Sequence, residues 1–337
     1  MKNRTISHRQ MMTVVFLALF PLGTEVLYPR LASAGAAGWL CPLLAGVGAV
    51  GIAALAGKGK VLAGEKENRV LWSLLLLWGL FFGGAQSCRL GVRLSDSLGA
   101  SPALMTGLLL ALAAWMAAGG LPAFARACEI FLLAVGSAYI LIMIGGVFRL
   151  RWDGVLLWTP AELAQVPLGS LACLGLLAIG CYGLLLTEDV TEEAGHRRRL
   201  FWMLGRLALL LSAAGVLILG RFGGGLAGQI DRPFFQMVSG LGLEGAFQRL
   251  EQLVSALWVL GDLALLGFLL LCLGRLTACV TGRQERKGWA WLWGAVLFLL
   301  ALPVPFWKGV LEGPVLWVGN LLAGVLILWV WGRKKRK

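Results

Sequence analysis

Apolar residues in this chain come in long blocks separated by short charged clusters, without the brief alternating segments of a membrane β-barrel. The blocks predict ten helical spans at about 11–31, 39–56, 70–94, 103–118, 127–148, 166–187, 200–221, 251–278, 289–305 and 315–331. Most approach the ~20 residues a helix needs to cross a bilayer. Segments 39–56 and 103–118 are short, whereas 70–94 and 251–278 are long enough to tilt or project.

Two of these blocks are interrupted. In the first, Phe20-Pro21-Leu22-Gly23-Thr24-Glu25 places a helix breaker, a flexible residue and an acid near mid-membrane. The sixth carries Gly175, Gly180 and Gly183 around Tyr182, and its run Gly180-Cys181-Tyr182-Gly183 can unwind in the middle of the membrane. One broken span opening each half of a ten-span chain is the pointer to an inverted-repeat transporter. The expected organisation is a single transmembrane domain over 1–337. Repeat one is 11–148, repeat two is 166–331, and an external segment of short surface helices covers 222–250.

Composition agrees: 59% of residues are hydrophobic and 14% charged, too few charges to cover a soluble protein of 337 residues. The net charge of +13 does not indicate nucleic acid, because the basic residues sit between apolar blocks rather than along one face. Of thirty Lys and Arg, twenty fall in one set of alternate loops and nine in the other, which predicts an even span number with both termini cytoplasmic. The basic start, the apolar stretch from Met11 and Ala32-Ser33-Ala34 imitate a signal peptide. Pro21, Gly23 and Glu25 interrupt it, which favours an uncleaved first span. Seven scattered cysteines without a CxxC pair and only two histidines argue against a disulfide framework or a metal site. Gly46, Gly48 and Gly51 match GxGxxG inside a span, where close helix approach explains them better than a dinucleotide does. Gly79 and Gly83 read the same way. No P-loop, nucleophile–base pair or Asp-rich metal motif is visible, so neither an enzyme nor a cofactor is expected.

The candidate chemistry is buried charge. Glu25 near mid-membrane is costly; it either lines a wet site or pairs with a neighbouring helix, and the first reading is preferred. Asp262 shares a helical face with Trp258 and Glu251, as either a proton carrier or the partner of Arg206. Gln86, Arg89 and Arg93 share a face of the third span, where Arg89 can meet an anionic group or snorkel. Pro21 to Glu25 with Gly180, Tyr182, Gly183 and Trp258 form the expected ligand site. Glu25, Asp262 and Arg89 are the proton or ion-pair candidates.

Several short motifs resemble the spore germinant-receptor B-subunit family. They are Ile6-Ser7 with Gln10, Tyr28-Pro29, Ala37-Gly38-Trp39, Ser101-Pro102, Arg126-Ala127-Cys128-Glu129, and Phe247-Gln248-Arg249-Leu250-Glu251 followed by Trp258. The resemblance makes Arg249 and Glu251 a structural motif. It implies the amino acid–polyamine–organocation superfamily and its LeuT-like five-plus-five inverted repeat. It further implies a membrane subunit that binds a small nutrient, such as an amino acid, beside A-type and C-type receptor subunits in the spore inner membrane. The alternative from the same pocket is an autonomous proton-coupled amino acid or polyamine permease in a bacterial cell membrane, with Glu25 or Asp262 carrying the proton.

Overall fold

A computed structural model of the chain describes residues 5–56, 65–190, 196–241, 250–283 and 288–334. The helices are α1 (His8–Val26), α2 (Tyr28–Leu31), α3 (Leu40–Ala56), α4 (Glu65–Leu98), α5 (Pro102–Ala118), α6 (Leu121–Val147) and α7 (Asp153–Leu156). They continue as α8 (Pro160–Ala178), α9 (His196–Ala227), α10 (Pro233–Ser239), α11 (Leu250–Thr281), α12 (Gly288–Ala301), α13 (Val304–Glu312) and α14 (Val315–Lys334). Tighter 3-10 segments occupy Ala32–Ala37 and Ile179–Asp189. Among the described residues the only β contact is an isolated parallel bridge between Ile6 and Val190.

Each predicted span falls on helical residues, but 11–31, 166–187 and 289–305 each run across two consecutive helical elements. Among the described residues, five helical stretches are long and apolar enough to cross a membrane: Arg69–Leu98, Leu121–Val147, Pro160–Leu186, Arg198–Ala227 and Gln252–Thr281. The pair Gly288–Ala301 and Val304–Leu311 meets the same criterion only when taken together, and it is bent by 87° at its break, as in a broken span or a re-entrant loop. Leu40–Gly51, Pro102–Ala118 and Val315–Val330 are apolar but shorter. The protein is thus an all-α, multi-pass membrane protein, with large hydrophobic side chains such as Leu133, Leu141 and Trp115 on its outer surface, as a bilayer environment requires.

Local chemistry accounts for several helix starts. Ser7 caps α1 in a reciprocal box, its hydroxyl accepting from the Gln10 amide N at 3.2 Å while Gln10 Oε1 accepts from Ser7 N at 3.1 Å. Ser101 caps α5 ahead of Pro102, whose missing N–H costs nothing at a first helical position. Thr159 and Glu162 form a second box at α8.

Glycines set the closest helix approaches. A Cβ at Gly46 would lie 2.8 Å from Ala208 Cβ, at the α3–α9 crossing. One at Gly83 would lie 2.9 Å from Leu297. Gly46, Gly79 and Gly83 therefore sit at close approaches, whereas a Cβ at Gly48 would meet Leu174 only at 3.6 Å and one at Gly51 no atom within 4 Å, so the close-approach reading does not extend to those two.

Packing follows a definite scheme. The α3 helix lies against α8 and α9, and α4 against α5, α11 and α12. The α1 helix touches α6, α9 and α11, while α14 covers α8 and Ile179–Asp189. Further contacts join α5 to α11 and α12, α6 to α9 and α11, α11 to α12, and α14 to α3 and α4. Contacts between α1 and the sixth segment run in opposite chain order. Gly183 abuts Met11 and Val15, and Gly180 abuts Val15 and Leu19, so the two segments are antiparallel.

One expectation about these segments is corrected. Pro21 to Glu25 do not unwind: α1 stays α-helical from His8 to Val26. A proline removes only one helix hydrogen bond, and Gly261 of α11 leaves room for its ring, since a Cβ there would lie 2.9 Å from Pro21 Cβ. In the sixth segment the helix does change at Gly180, but it tightens from α to 3-10 at Ile179 instead of opening. None of the seven cysteines, all among the described residues, forms a disulfide.

Candidate functional site

The α1, α4 and α11 helices converge on four charged side chains. Glu25 and Asp262 contribute the carboxylates, and Arg89 and Arg93, one helical turn apart on α4, contribute the guanidinium groups. Arg93 Nη1 donates to Glu25 Oε2 at 2.7 Å, and its Nη2 donates to Asp262 Oδ2, so one guanidinium joins α1 to α11. Arg89 Nη1 lies 2.6 Å from the same Glu25 oxygen, and Arg89 Nε donates to Gln86 Oε1 at 2.9 Å. The four formal charges cancel. Glu25, Arg93 and Asp262 are 6%, 2% and 2% exposed, which places the set in low dielectric where an unbalanced charge is costly.

A polar contact and an aromatic cover adjoin the charges. Trp258, one turn before Asp262, donates its indole N–H to Thr24 Oγ1 at 2.9 Å, and Thr24 in turn donates to the Pro21 carbonyl at 2.9 Å. From α10, Phe234 lies 5.2 Å from the Trp258 ring and Phe235 lies 6.0 Å from the Arg93 guanidinium carbon. Arg232, just before α10, pairs with Asp96 at the end of α4 at 2.9 Å. Thr24→Val keeps the shape and strands a buried indole N–H, so it should lower stability by about 1–3 kcal/mol. Thermal unfolding in detergent measures this, and an unchanged midpoint would mean that the indole does not depend on Thr24.

The expected ligand site is only partly assembled. Thr24, Glu25, Trp258, Asp262 and Arg89 come together. Gly180 and Gly183 instead pack on Met11, Val15 and Leu19, about 15 Å nearer the start of α1 at 1.5 Å per residue. Tyr182 is buried beside them near Gly79, with its hydroxyl unbonded among the described residues. Leu22 is buried, and Gly23 faces Leu176 and Leu211. The single pocket expected from both broken spans is therefore two separate places along α1, because the sixth segment lies against its earlier turns.

Asp262 is also corrected: its partner is Arg93, on α4, rather than Arg206, on α9. Arg93, the hub, was visible in the sequence as one of three polar residues on a single face of a span. Counting it against two membrane acids was the missing step. Arg249 lies outside the described residues, as does the side chain of Glu251. Among the described residues no group of three or more His, Cys, Asp or Glu side chains is placed to hold a metal ion. No protein-family model matches this chain, and no curated protein is significantly similar to it.

Proposed function

We propose that this chain is a nutrient-binding membrane subunit with an amino-acid-permease fold, which takes a small zwitterion such as an amino acid at the Glu25–Arg89–Arg93–Asp262 cluster. The observation that carries this reading is the cluster itself, in which both charge signs are held, balanced and buried, where three membrane helices meet. Such groups in a membrane interior are expensive and mark ligand or ion pathways. A zwitterion can exchange partners with them while keeping the charge balanced: its carboxylate takes Arg89, whose buried Nη2 has no hydrogen bond, and its ammonium takes a carboxylate. The aromatic face of α10 then closes the site, and its displacement admits the ligand.

The helix contacts support the fold. Exchanging each of the ten spans with the one five further along carries α1–α6 into α8–α14, α1–α9 into α8–α3, and α4–α5 into α11–α12. The same exchange carries α5–α11 into α12–α4, α6–α11 into α14–α4 and α6–α9 into α14–α3, while α3–α9, α4–α11 and α5–α12 map onto themselves. These pairings support a five-plus-five inverted repeat, with both termini cytoplasmic as the basic loops favour, although the extensive α1–α11 contact has no comparable α8–α4 counterpart. On the resemblance in the sequence, the partners are A-type and C-type germinant-receptor subunits in the spore inner membrane.

The test is ligand-induced stabilisation of the purified chain across the common amino acids. At least one should raise the unfolding midpoint in a concentration-dependent way. In Glu25→Gln and Arg89→Gln that increment should disappear, whatever their own midpoints. A wild-type protein indifferent to every amino acid, or variants that respond equally, would remove the cluster from any binding role. Uptake into proteoliposomes by the chain alone would favour the permease reading of the same site.

A further inference from the structure

The short helix α10 covers the charge cluster with its first turn, and its two ends are held differently. Phe234 lies against Trp258 and Phe235 lies over Arg93, both at the start of the helix. Just ahead of them Arg232 Nη2 donates to Asp96 Oδ2 at 2.9 Å. At the far end the Gly240 carbonyl accepts from Arg149 Nη1 at 2.5 Å and from Arg221 Nη2 at 3.3 Å. Arg149 follows α6 and Arg221 belongs to α9, so two separate elements grip one carbonyl. A Cβ at residue 240 would collide with the Arg221 guanidinium, which accounts for the glycine. Among the described residues, these are the hydrogen bonds that tie residues 232–240 to other helices.

The two attachments differ in what they fix. Two charge-assisted hydrogen bonds converging on one acceptor set both distance and direction. The Arg232–Asp96 pair is 34% and 57% exposed, and an ion pair so open to water and salt adds little. Between the ends, Phe234, Phe235, Met237 and Val238 are all buried. That apolar contact is non-directional: it holds the helix down without deciding which end lifts first. The polar attachments decide, and the weaker one adjoins the two rings. Asp96 also stands three residues beyond Arg93 on α4, so the pair ends on the helical turn that carries the hub of the cluster.

We infer that the Arg232–Asp96 ion pair is the latch of a lid, and that α10 opens by lifting its Phe234–Phe235 end about a pivot at Gly240. The latch rests on the reading of the cluster as a binding site and supplies its regulation. Losing it makes opening more frequent by a factor of a few, which is as much as an exposed pair can provide. Salt acts in the same direction by screening it.

Thiol reactivity measures lid opening with no nutrient present, so failure of the lid and failure of the nutrient reading are separate results. Six of the native cysteines are buried, and Cys279→Ser removes the seventh. In that background, Phe235→Cys and Val238→Cys place buried thiols toward opposite ends of α10. The full chain in neutral detergent is then reacted with a charged, water-soluble thiol reagent. Asp96→Asn should speed the reaction at 235 about threefold and leave that at 238 unchanged. Salt at about 0.5 M should reproduce the gain when Asp96 is present and add nothing when it is replaced. Arg149→Gln with Arg221→Gln should speed the reaction at 238 instead. Should Phe235→Cys not survive purification, Phe234→Cys reports on the same end. An unchanged rate at the phenylalanine end would overturn the latch, and equal acceleration at both ends would overturn the pivot.

Discussion

Arg93→Met should destabilise the protein by about 3–5 kcal/mol, the largest effect expected of any single substitution in the charge cluster. The guanidinium it removes is bonded to Glu25 and Asp262 together, so the loss leaves two buried carboxylates facing Arg89 alone. The apolar bulk of methionine replaces the arginine stem, which separates the electrostatic loss from a packing loss. Combining Arg93→Met with Asp262→Asn restores charge balance, because Glu25 keeps Arg89 at 2.6 Å. The double variant should therefore recover most of the stability. Unfolding midpoints of the three proteins in one detergent decide the matter. If the double variant is no more stable than the single one, the four residues do not act as one balanced set.

The second large effect is steric. Gly175→Ala places a methyl group against the main chain of α14, where it collides with the Trp317 carbonyl oxygen and sits 2.8 Å from the Trp317 Cα. Backbone atoms cannot rotate aside, so α8 and α14 must separate, at a cost of about 1–3 kcal/mol. Gly205→Ala is the matched control: it lies within α9, and its Cβ meets no atom within 4 Å. That substitution should be neutral or stabilising by up to about 1 kcal/mol, from helix propensity alone. Similar losses at both positions would show that the α8–α14 contact is looser than described.

Much of the helical layout was readable in the sequence because burial in lipid imposes one dominant signal, a long apolar block, on every span. Asp262 illustrates what that signal omits. Its helical face could be placed by spacing, but whether it met Arg206 of α9 or Arg93 of α4 depends on which helices cross, and that depends on shape rather than hydropathy. Pro21 shows a second limit. A proline in a span predicts a disturbance, but whether the helix opens is decided by the neighbour, here Gly261, which makes room for the ring. Ser7 with Gln10, and Ser101 with Pro102, were legible as family motifs and serve as helix caps. Cap chemistry recurs wherever helices begin, so these residues report helix starts more strongly than ancestry.

The short helices α5 and α12 pack side by side and turn Leu104, Leu108, Trp115, Trp291 and Leu299 outward. With 17 and 14 residues they rise only about 26 and 21 Å, against a hydrocarbon layer of ~30 Å. Beyond α12 the chain turns by 87° into α13 instead of continuing along the same axis. On the ten-span reading proposed above, in which both helices cross, a bilayer meeting this flank thins locally to keep its headgroups level with the helix ends, at a cost that grows with each ångström of mismatch. On that reading the protein carries its own thickness preference, set along one side by two helices, and partitions toward thinner membrane or gathers neighbours that relieve the same deformation.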